Sequence, residues 1–280
     1  MKVSVIIPVG SAEMWPRCRQ SIEDSIAHCG KTAEFEVVPC MDLERRGVSI
    51  ARNEGLVRAT GEWVAWVDCD DEVNLQWADT IARELTEDCE ALSFGATLLR
   101  HDGKSVSRPC TEPVVVSANR FLKDCLMDLR GSTWLWNKVF RRSLFEGLRF
   151  YGETQEDFRI LPRVLARARQ VKAILDILYT YHRPKRSLTH GGGGDLNAKG
   201  IVAAINDSLC DVRNARAIMS AWKEGCALRA ADSIYHSGTN KELQAFLRRN
   251  IWRILADPHQ GIRVKVKAIM AAFGVSMGRA

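Results

Sequence analysis

The chain has no run of the roughly 18 uninterrupted apolar residues that a membrane-crossing helix needs. Its nine cysteines contain no CxxC pair and no Cys/His cluster at zinc-ligand spacing. A chain of 280 residues buries enough core to fold without disulfide staples. Reduced, mostly buried thiols are therefore the expectation. The first apolar run, Val3 to Val9, follows a single Lys2 and contains Pro8. It is too short for a secretory leader, so a cytoplasmic location is expected. No internal repeat is visible, and no low-complexity tract beyond the four glycines 191–194. These absences exclude spanning, disulfide-scaffold and solenoid classes. The remaining composition, 46% hydrophobic and 26% charged, is that of an ordinary globular protein.

Charge is unevenly placed. Residues 241–280 carry eight basic side chains and two acidic ones, an excess equal to the +6 of the whole chain. The first 240 residues balance at 32 of each sign. A basic tail suits an anionic lipid surface or is simply a solvated helix face. Arg248, Arg249, Trp252 and Arg253 interleave charge with one aromatic. That is too little for a nucleic-acid surface, and no nucleic-acid partner is expected.

Alternation of strand and helix organises the first 90 residues. VSVIIPV at 3–9 reads as a strand buried on both faces. Cys18, Ile22 and Ile26 recur at helical spacing, and Glu34 to Pro39 is a second strand. Ser49 starts a helix that stops at Gly61, and Glu62 to Val67 is a third strand. This is an α/β pattern with parallel pairing. Further on, strands are expected at 91–99, 114–116, 136–141 and 171–181, and helices at 117–129 and 156–168. Beyond the glycines everything reads as helical. The division expected is 1–190 for an α/β unit and 191–280 for a helical region. Its last stripe, Ile262, Val266, Ile269 and Phe273, either packs on the protein or lies on a membrane.

In open α/β sheets, ligands bind beyond the carboxyl ends of the strands. Asp68-Cys69-Asp70-Asp71 stands there, directly after the third strand. Three carboxylates in four residues repel, and their hard oxygens suit Mg²⁺ or Mn²⁺. The alternative is a polar turn whose acids serve the following helix. Arg45, Arg46 and Arg52 cluster near a helix start, where anions are favoured. Glu156-Asp157 precedes an apolar helix and is either a cap or the seat of a general base. His182 is either a further ligand or a structural histidine.

Taken together these segments resemble the family-2 glycosyltransferases. VSVIIPV is similar to the family's first strand, and Gly47 to Gly55 (GVSIARNEG) to its G-x-S-x-A-R-N-x-G segment. Ala59-Thr60-Gly61-Glu62 followed by Asp68-Cys69-Asp70-Asp71 resembles A-T-G-E … D-x-D-D. Trp136 to Arg141 resembles W-x-K-hydrophobic-aromatic-R. Phe150 with Glu156-Asp157, and Tyr179-x-Tyr181 with Ser187, resemble the later motifs. The resemblance covers most of residues 2–190.

It implies the GT-A nucleotide-diphospho-sugar transferase fold, a Rossmann-like mixed, mainly parallel sheet flanked by helices, here with a helical C-terminal extension. It implies an inverting transfer from a nucleoside-diphosphate sugar, UDP first among them, to a hydroxyl of a glycan or lipid-linked saccharide. A hexosyl or N-acetylhexosaminyl group is the expected cargo. By position, Pro8 and Val9 would line the nucleotide pocket. Asp42 would sit near the base or ribose, and Arg52 would meet the nucleoside or its phosphates. Asp68 would lie on the ribose or sugar side. Asp70 would hold Mn²⁺ or Mg²⁺ on the diphosphate, with Asp68 and His182 as further candidate ligands. Asp157 would be the catalytic base. Glu156 and Trp136 would lie on the acceptor side, and Arg183 and Ser187 would close over the diphosphate.

Two departures stand out. Gly10-Ser11 follows the first strand, and the second strand runs into Cys40-Met41-Asp42-Leu43-Glu44 where the family has Asp-Asp-Gly-Ser. The alternatives are a non-catalytic nucleotide- or sugar-binding module and a sugar nucleotidyltransferase. The latter lacks a Gly-rich phosphate loop here, since only Gly10 and Arg17 follow the first strand.

Overall fold

The computed structural model describes residues 1–30, 33–108, 110, 113–126, 133–152, 155–183, 207, 216–237, 240–258 and 260–275. The chain divides into two compact units, Met1–Lys185 and Arg186–Ala280.

In the first unit, β1 (Lys2–Val9), α1 (Trp15–His28), β2 (Glu34–Met41), α2 (Val48–Arg58), β3 (Trp63–Trp66), β4 (Glu72–Val73) and α3 (Trp77–Glu84) alternate. Then come β5 (Ala91–Arg100), β6 (Ser105–Arg108), β7 (Val114–Ser117), α4 (Ala118–Leu126), β8 (Lys138–Arg141), α5 (Glu156–Leu165) and β9 (Gln170–Arg183). They form one mixed sheet in the order β2-β1-β3-β8-β5-β9-β4, with β6 on β5 and β7 on β9. The two longest ladders, β1 with β2 and β5 with β9, are parallel, as is β1 with β3. The Rossmann-like, mainly parallel sheet read from the sequence is present, flanked by helices.

Buried β-branched residues explain the centre. Val3, Val5, Ile7 and Val9 enter one cluster with Cys18 and Ile22 of α1 and Trp77, Ala78 and Ile81 of α3. Because β1 lies between β2 and β3, the chain crosses from one side of β1 to the other after β2. That reversal opens a crevice at the strands' carboxyl ends.

Two glycines fix how closely α2 and its exit approach β1. A Cβ on Gly55 would lie 2.2 Å from Ile6 Cγ2, and one on Gly61 would lie 2.7 Å from Ser4 N. Gly55→Ala is expected to destabilise the protein by about 1–3 kcal/mol, the usual cost of overpacking. Denaturant unfolding checks this as a fall in midpoint at unchanged slope.

Several boundaries differ from those read in the sequence. The strand expected from Trp136 begins at Lys138, and the Trp134 and Trp136 rings before it stack on each other. The helix expected to run to Ala168 ends at Leu165. β4 is two residues inside an acidic stretch, and β6 is exposed at all four positions, so neither shows a periodic pattern. The glycine quartet lies outside the described residues.

The second unit contains α6 (Arg216–Ser237), α7 (Lys241–Ala256) and α8 (Ile262–Ala272). Asn240 caps α7, its Oδ1 accepting the N–H groups of Glu242 and Leu243 at 3.0 and 3.1 Å. α7 buries Leu243, Leu247 and Ile254, which recur at helical spacing on one face. α6 contributes Trp222, Cys226, Ala227, Ala230 and Ile234 to the same interior. No helix among the described residues is long and apolar enough to cross a membrane.

Candidate active site

The candidate residues of the first unit gather at the carboxyl ends of β1 and β3 and at the start of α5. Pro8 and Val9 end β1, where the Val9 side chain is fully buried in the core. Only the backbone beyond it can line a pocket. Asp42 follows β2. Its Oδ1 and Oδ2 accept the N–H groups of Arg46 and Gly47, each at 2.8 Å. The carboxylate thus anchors the loop that leads into α2.

Arg52 is the hub of the site. It is only 2% exposed, and it reaches three carboxylates contributed by two segments far apart in sequence. Nη2 donates to Asp68 Oδ1 at 3.1 Å. Nη1 donates to Glu156 Oε1 at 2.6 Å and to Asp157 Oδ1. The guanidinium carbon lies 5.9 and 5.7 Å from the ring centres of Trp66 and Phe150, and Nε has no hydrogen-bond acceptor among the described residues. Burial alone would push the Arg52 pKa down, but the charges of Asp157, Glu156 and Asp68 hold it above its ordinary value. Both Nη atoms are thus engaged by carboxylates. The sequence placed Arg52 at the nucleoside or its phosphates, and its partners at α5, more than 100 residues away, are invisible in one dimension.

Neighbouring groups fix this geometry. Asn53 clasps the backbone of Phe150, donating from Nδ2 to its carbonyl at 2.8 Å and accepting its N–H at 2.9 Å. Ser49 Oγ donates to the Gly152 carbonyl at 2.7 Å. Thus consecutive turns of α2 hold the segment that enters α5. Gln155, directly before Glu156, is left-handed at φ 60°, a conformation that stores strain at a site.

Asp157 Oδ2 accepts the N–H of Leu135 at 3.3 Å. Burial raises the Asp157 pKa to about 7, with Arg52 opposing and the charges of Glu156 and Asp68 adding to the rise. Such a carboxylate is part-ionised at neutral pH and suited to proton transfer. Burial also raises Asp68, against Arg52 and with the charges of Asp70 and Glu156.

The four residues of the acidic turn divide their work. Asp71 is fully buried. It accepts Tyr179 O–H at 2.8 Å and the backbone N–H of His182 at 2.8 Å. Burial, then the charges of Asp68 and Asp70, push its pKa well up. The Tyr179 hydroxyl in turn accepts the N–H of Asp68 at 3.1 Å. Asp71 and Tyr179 therefore shape the turn. Asp70 is half-buried, and among the described residues no hydrogen bond or ion pair occupies its carboxylate. Arg17 Nη2 donates to its backbone carbonyl at 2.5 Å. The His182 ring is paired through Nε2 with Glu72 Oε2 at 2.5 Å.

Trp136 is 3% exposed. Its ring stacks on Trp134 at 4.6 Å and on Tyr179 at 4.5 Å, with Tyr181 at 5.6 Å. The ring is thus enclosed between two others, and its own faces are taken up by the stack. Trp134 and Tyr181 are half-buried, so they are the more accessible rings of that stack. The Y-x-Y spacing was the available signal for Tyr179, because residues two apart on a strand share a face. Trp134 carried no signal of its own. The Arg183 backbone closes β9 against Arg100, and Ser187 lies outside the described residues. A cavity of about 510 Å³ lined by Glu84, Val114, Lys172 and Asp176 lies at β7 and β9 and contains none of these groups.

Comparison with known proteins finds likeness of sequence and of fold. The family model "Glycosyl transferase family 2" matches residues 21–149. Glycosyltransferase GlyA of Streptococcus pneumoniae serotype 4 is 25% identical over 219 residues, 67% of this chain and 31% of its own. The uncharacterized glycosyltransferase EpsJ of Bacillus subtilis is 29% identical over 155 residues, 51% of this chain and 44% of its own. The chain thus spans less than half the length of either relative. Crystalline S. aureus TarS 1–349 in complex with UDP-GlcNAc superposes with a TM-score of 0.59 at 18% identity, covering 97% of this chain and 89% of that one. The order of its motifs, its sheet and these likenesses agree, and the chain is similar to glycosyl transferase family 2 over residues 21–149.

Proposed function

We propose that this protein is an inverting glycosyltransferase. It moves a hexosyl or N-acetylhexosaminyl group from a nucleoside-diphosphate sugar to a hydroxyl of a glycan or lipid-linked saccharide, in polysaccharide or glycoconjugate synthesis. The observation that carries this reading is the Arg52 bridge. One buried cation ties the D-x-D aspartate Asp68 to the Glu156-Asp157 pair, so donor-side and acceptor-side groups surround one point. UDP is the first nucleotide to test, because the TarS structure with a similar fold holds UDP-GlcNAc.

The chemistry follows from the groups. Asp157 accepts the proton of the acceptor hydroxyl, whose oxygen attacks the anomeric carbon. The bond from that carbon to the diphosphate breaks, and the nucleoside diphosphate leaves with the electron pair. Arg52 holds Asp157 and Asp68 in register, and Glu156 shares its charge.

A divalent metal fits the donor set. Asp70 and Asp68 offer hard oxygens, and Asp70 has no competing cation among the described residues. No three-donor cage exists among those residues, which suits Mg²⁺ or Mn²⁺ bound by one or two carboxylates together with substrate phosphates. Bound there, the ion would neutralise charge on the leaving diphosphate.

Calorimetry with UDP, GDP and other nucleoside diphosphates tests the reading. Binding of one nucleotide in Mn²⁺ is expected, weakened about tenfold or more by EDTA or by Asp70→Asn. A folded protein that binds none of them would leave the catalytic reading without a donor.

A further inference from the structure

Helix α8 is built inside out for a helix in water. It buries Ala268, Ala271 and Ala272 and turns its large apolar residues outward. Ile262, Val266, Ile269 and Phe273 are 74, 46, 40 and 77% exposed. They recur at spacings of four, three and four, so they form one stripe within a narrow arc of the helix. The neighbouring flank of α7 extends the surface. Arg248 Nε donates to the Ala272 carbonyl at 2.7 Å, and the Leu255 carbonyl accepts Lys265 Nζ at 2.9 Å. The two helices therefore run antiparallel side by side. On this flank Trp252 is 56% exposed and Leu255 39%.

The charge around this apolar surface is mainly basic, with Lys267 of α8 paired to the exposed Asp232 of α6. Arg248, Arg249 and Arg263 are exposed, and Lys265 borders the stripe. Of the two acidic residues after position 240, Asp257 is buried, which leaves Glu242 at the start of α7. A second copy of this chain meeting the same face would set like charges opposite one another. A nucleic acid would have no use for a stripe of Ile, Val and Phe. An apolar stripe flanked by Arg and Lys, with a Trp at its edge, matches the boundary of an anionic bilayer.

We infer that the exposed face of α8, with Trp252 and Leu255 of α7, is a docking surface for anionic lipid headgroups and the acyl boundary beneath them. The helices lie on the bilayer rather than cross it. Aliphatic and aromatic side chains enter the interface, and the basic side chains meet lipid phosphates. This is independent of the catalytic reading.

Flotation of the full chain tests it. Vesicles of phosphatidylcholine are compared with vesicles in which about one third of the lipid is phosphatidylglycerol. The wild type is expected to float with the anionic vesicles and at least about tenfold less with the neutral ones. Ile269→Asp with Phe273→Asp, and separately Arg249→Glu with Arg263→Glu, should each reduce flotation about tenfold or more. Both pairs are exposed, so circular dichroism and melting should match the wild type. If the aspartate pair misfolds, the glutamate pair carries the test. Equal flotation of wild type with both vesicle types, or undiminished flotation of a folded variant, overturns the inference. So does a wild-type dimer by light scattering that Ile269→Asp with Phe273→Asp makes monomeric while neither form floats.

Discussion

Replacing Asp157 by Asn is expected to lower the rate of sugar transfer by about 10²–10⁴-fold, the range for a positioned proton-transfer group. Nucleotide affinity should not change, because Asp157 touches Arg52 and the Leu135 N–H rather than the donor-side Asp70. The pH profile gives the stronger signature. The Asp157 pKa is raised to about 7 by burial, and only the ionised form accepts a proton. Wild-type kcat/KM should therefore rise with pH and level off above about 7. The same shift has a cost in stability. A carboxyl whose pKa is raised by folding favours the folded state below its ordinary value of 3.8, and that contribution is lost as pH rises towards about 7. Initial rates and calorimetric titrations on both proteins across this window check the prediction. A variant that keeps its rate would remove Asp157 from the role.

Arg52→Met is expected to do the most structural damage. It leaves Asp68, Glu156 and Asp157 facing one another without their cation. Removing one partner of a buried ionic group typically costs about 3–5 kcal/mol. In a protein of this size that lowers the melting temperature by roughly 10 °C. The deficit should shrink as pH falls, because protonating the carboxylates removes their repulsion. Arg52→Lys separates position from charge. Lysine keeps the cation but lacks the planar fork that spans both sides of the cluster. It should recover much of the stability yet transfer sugar at least about tenfold more slowly, since the base and the D-x-D aspartate lose their common anchor. The activity limb supplies a separate readout. Without the Arg52 charge, which lowers the Asp157 pKa, the limb should move above its wild-type position. If Arg52→Lys behaved as wild type in rate and profile, the bridge would be a structural ion pair alone.

The sequence by itself determined the sheet and its working edge. A continuous β-branched run is satisfied by burial on both faces, so VSVIIPV placed β1 inside the sheet, between two neighbouring strands. The strand-to-acid junction at Val67-Asp68 put the carboxylates at a strand end. The glycines at 55 and 61 were legible as motif positions, and packing against Ile6 and Ser4 explains them. These features are local in sequence, and so is the physics behind them.

Tertiary structure decided which charges meet. Arg52 and Asp157 are separated by 105 positions, and no periodicity announces their contact. The clasps of Asn53 on Phe150 and of Ser49 on Gly152 bring them together. The acidic turn likewise read as three similar aspartates. Burial made Asp71 a structural acid under Tyr179, left Asp70 open and gave Asp68 to Arg52. The outward stripe of α8 was visible as a pattern from the start, but a hydrophobic period says only that residues share a face. Which way the face points depends on what else is small enough to be buried, and here the alanines took the inside.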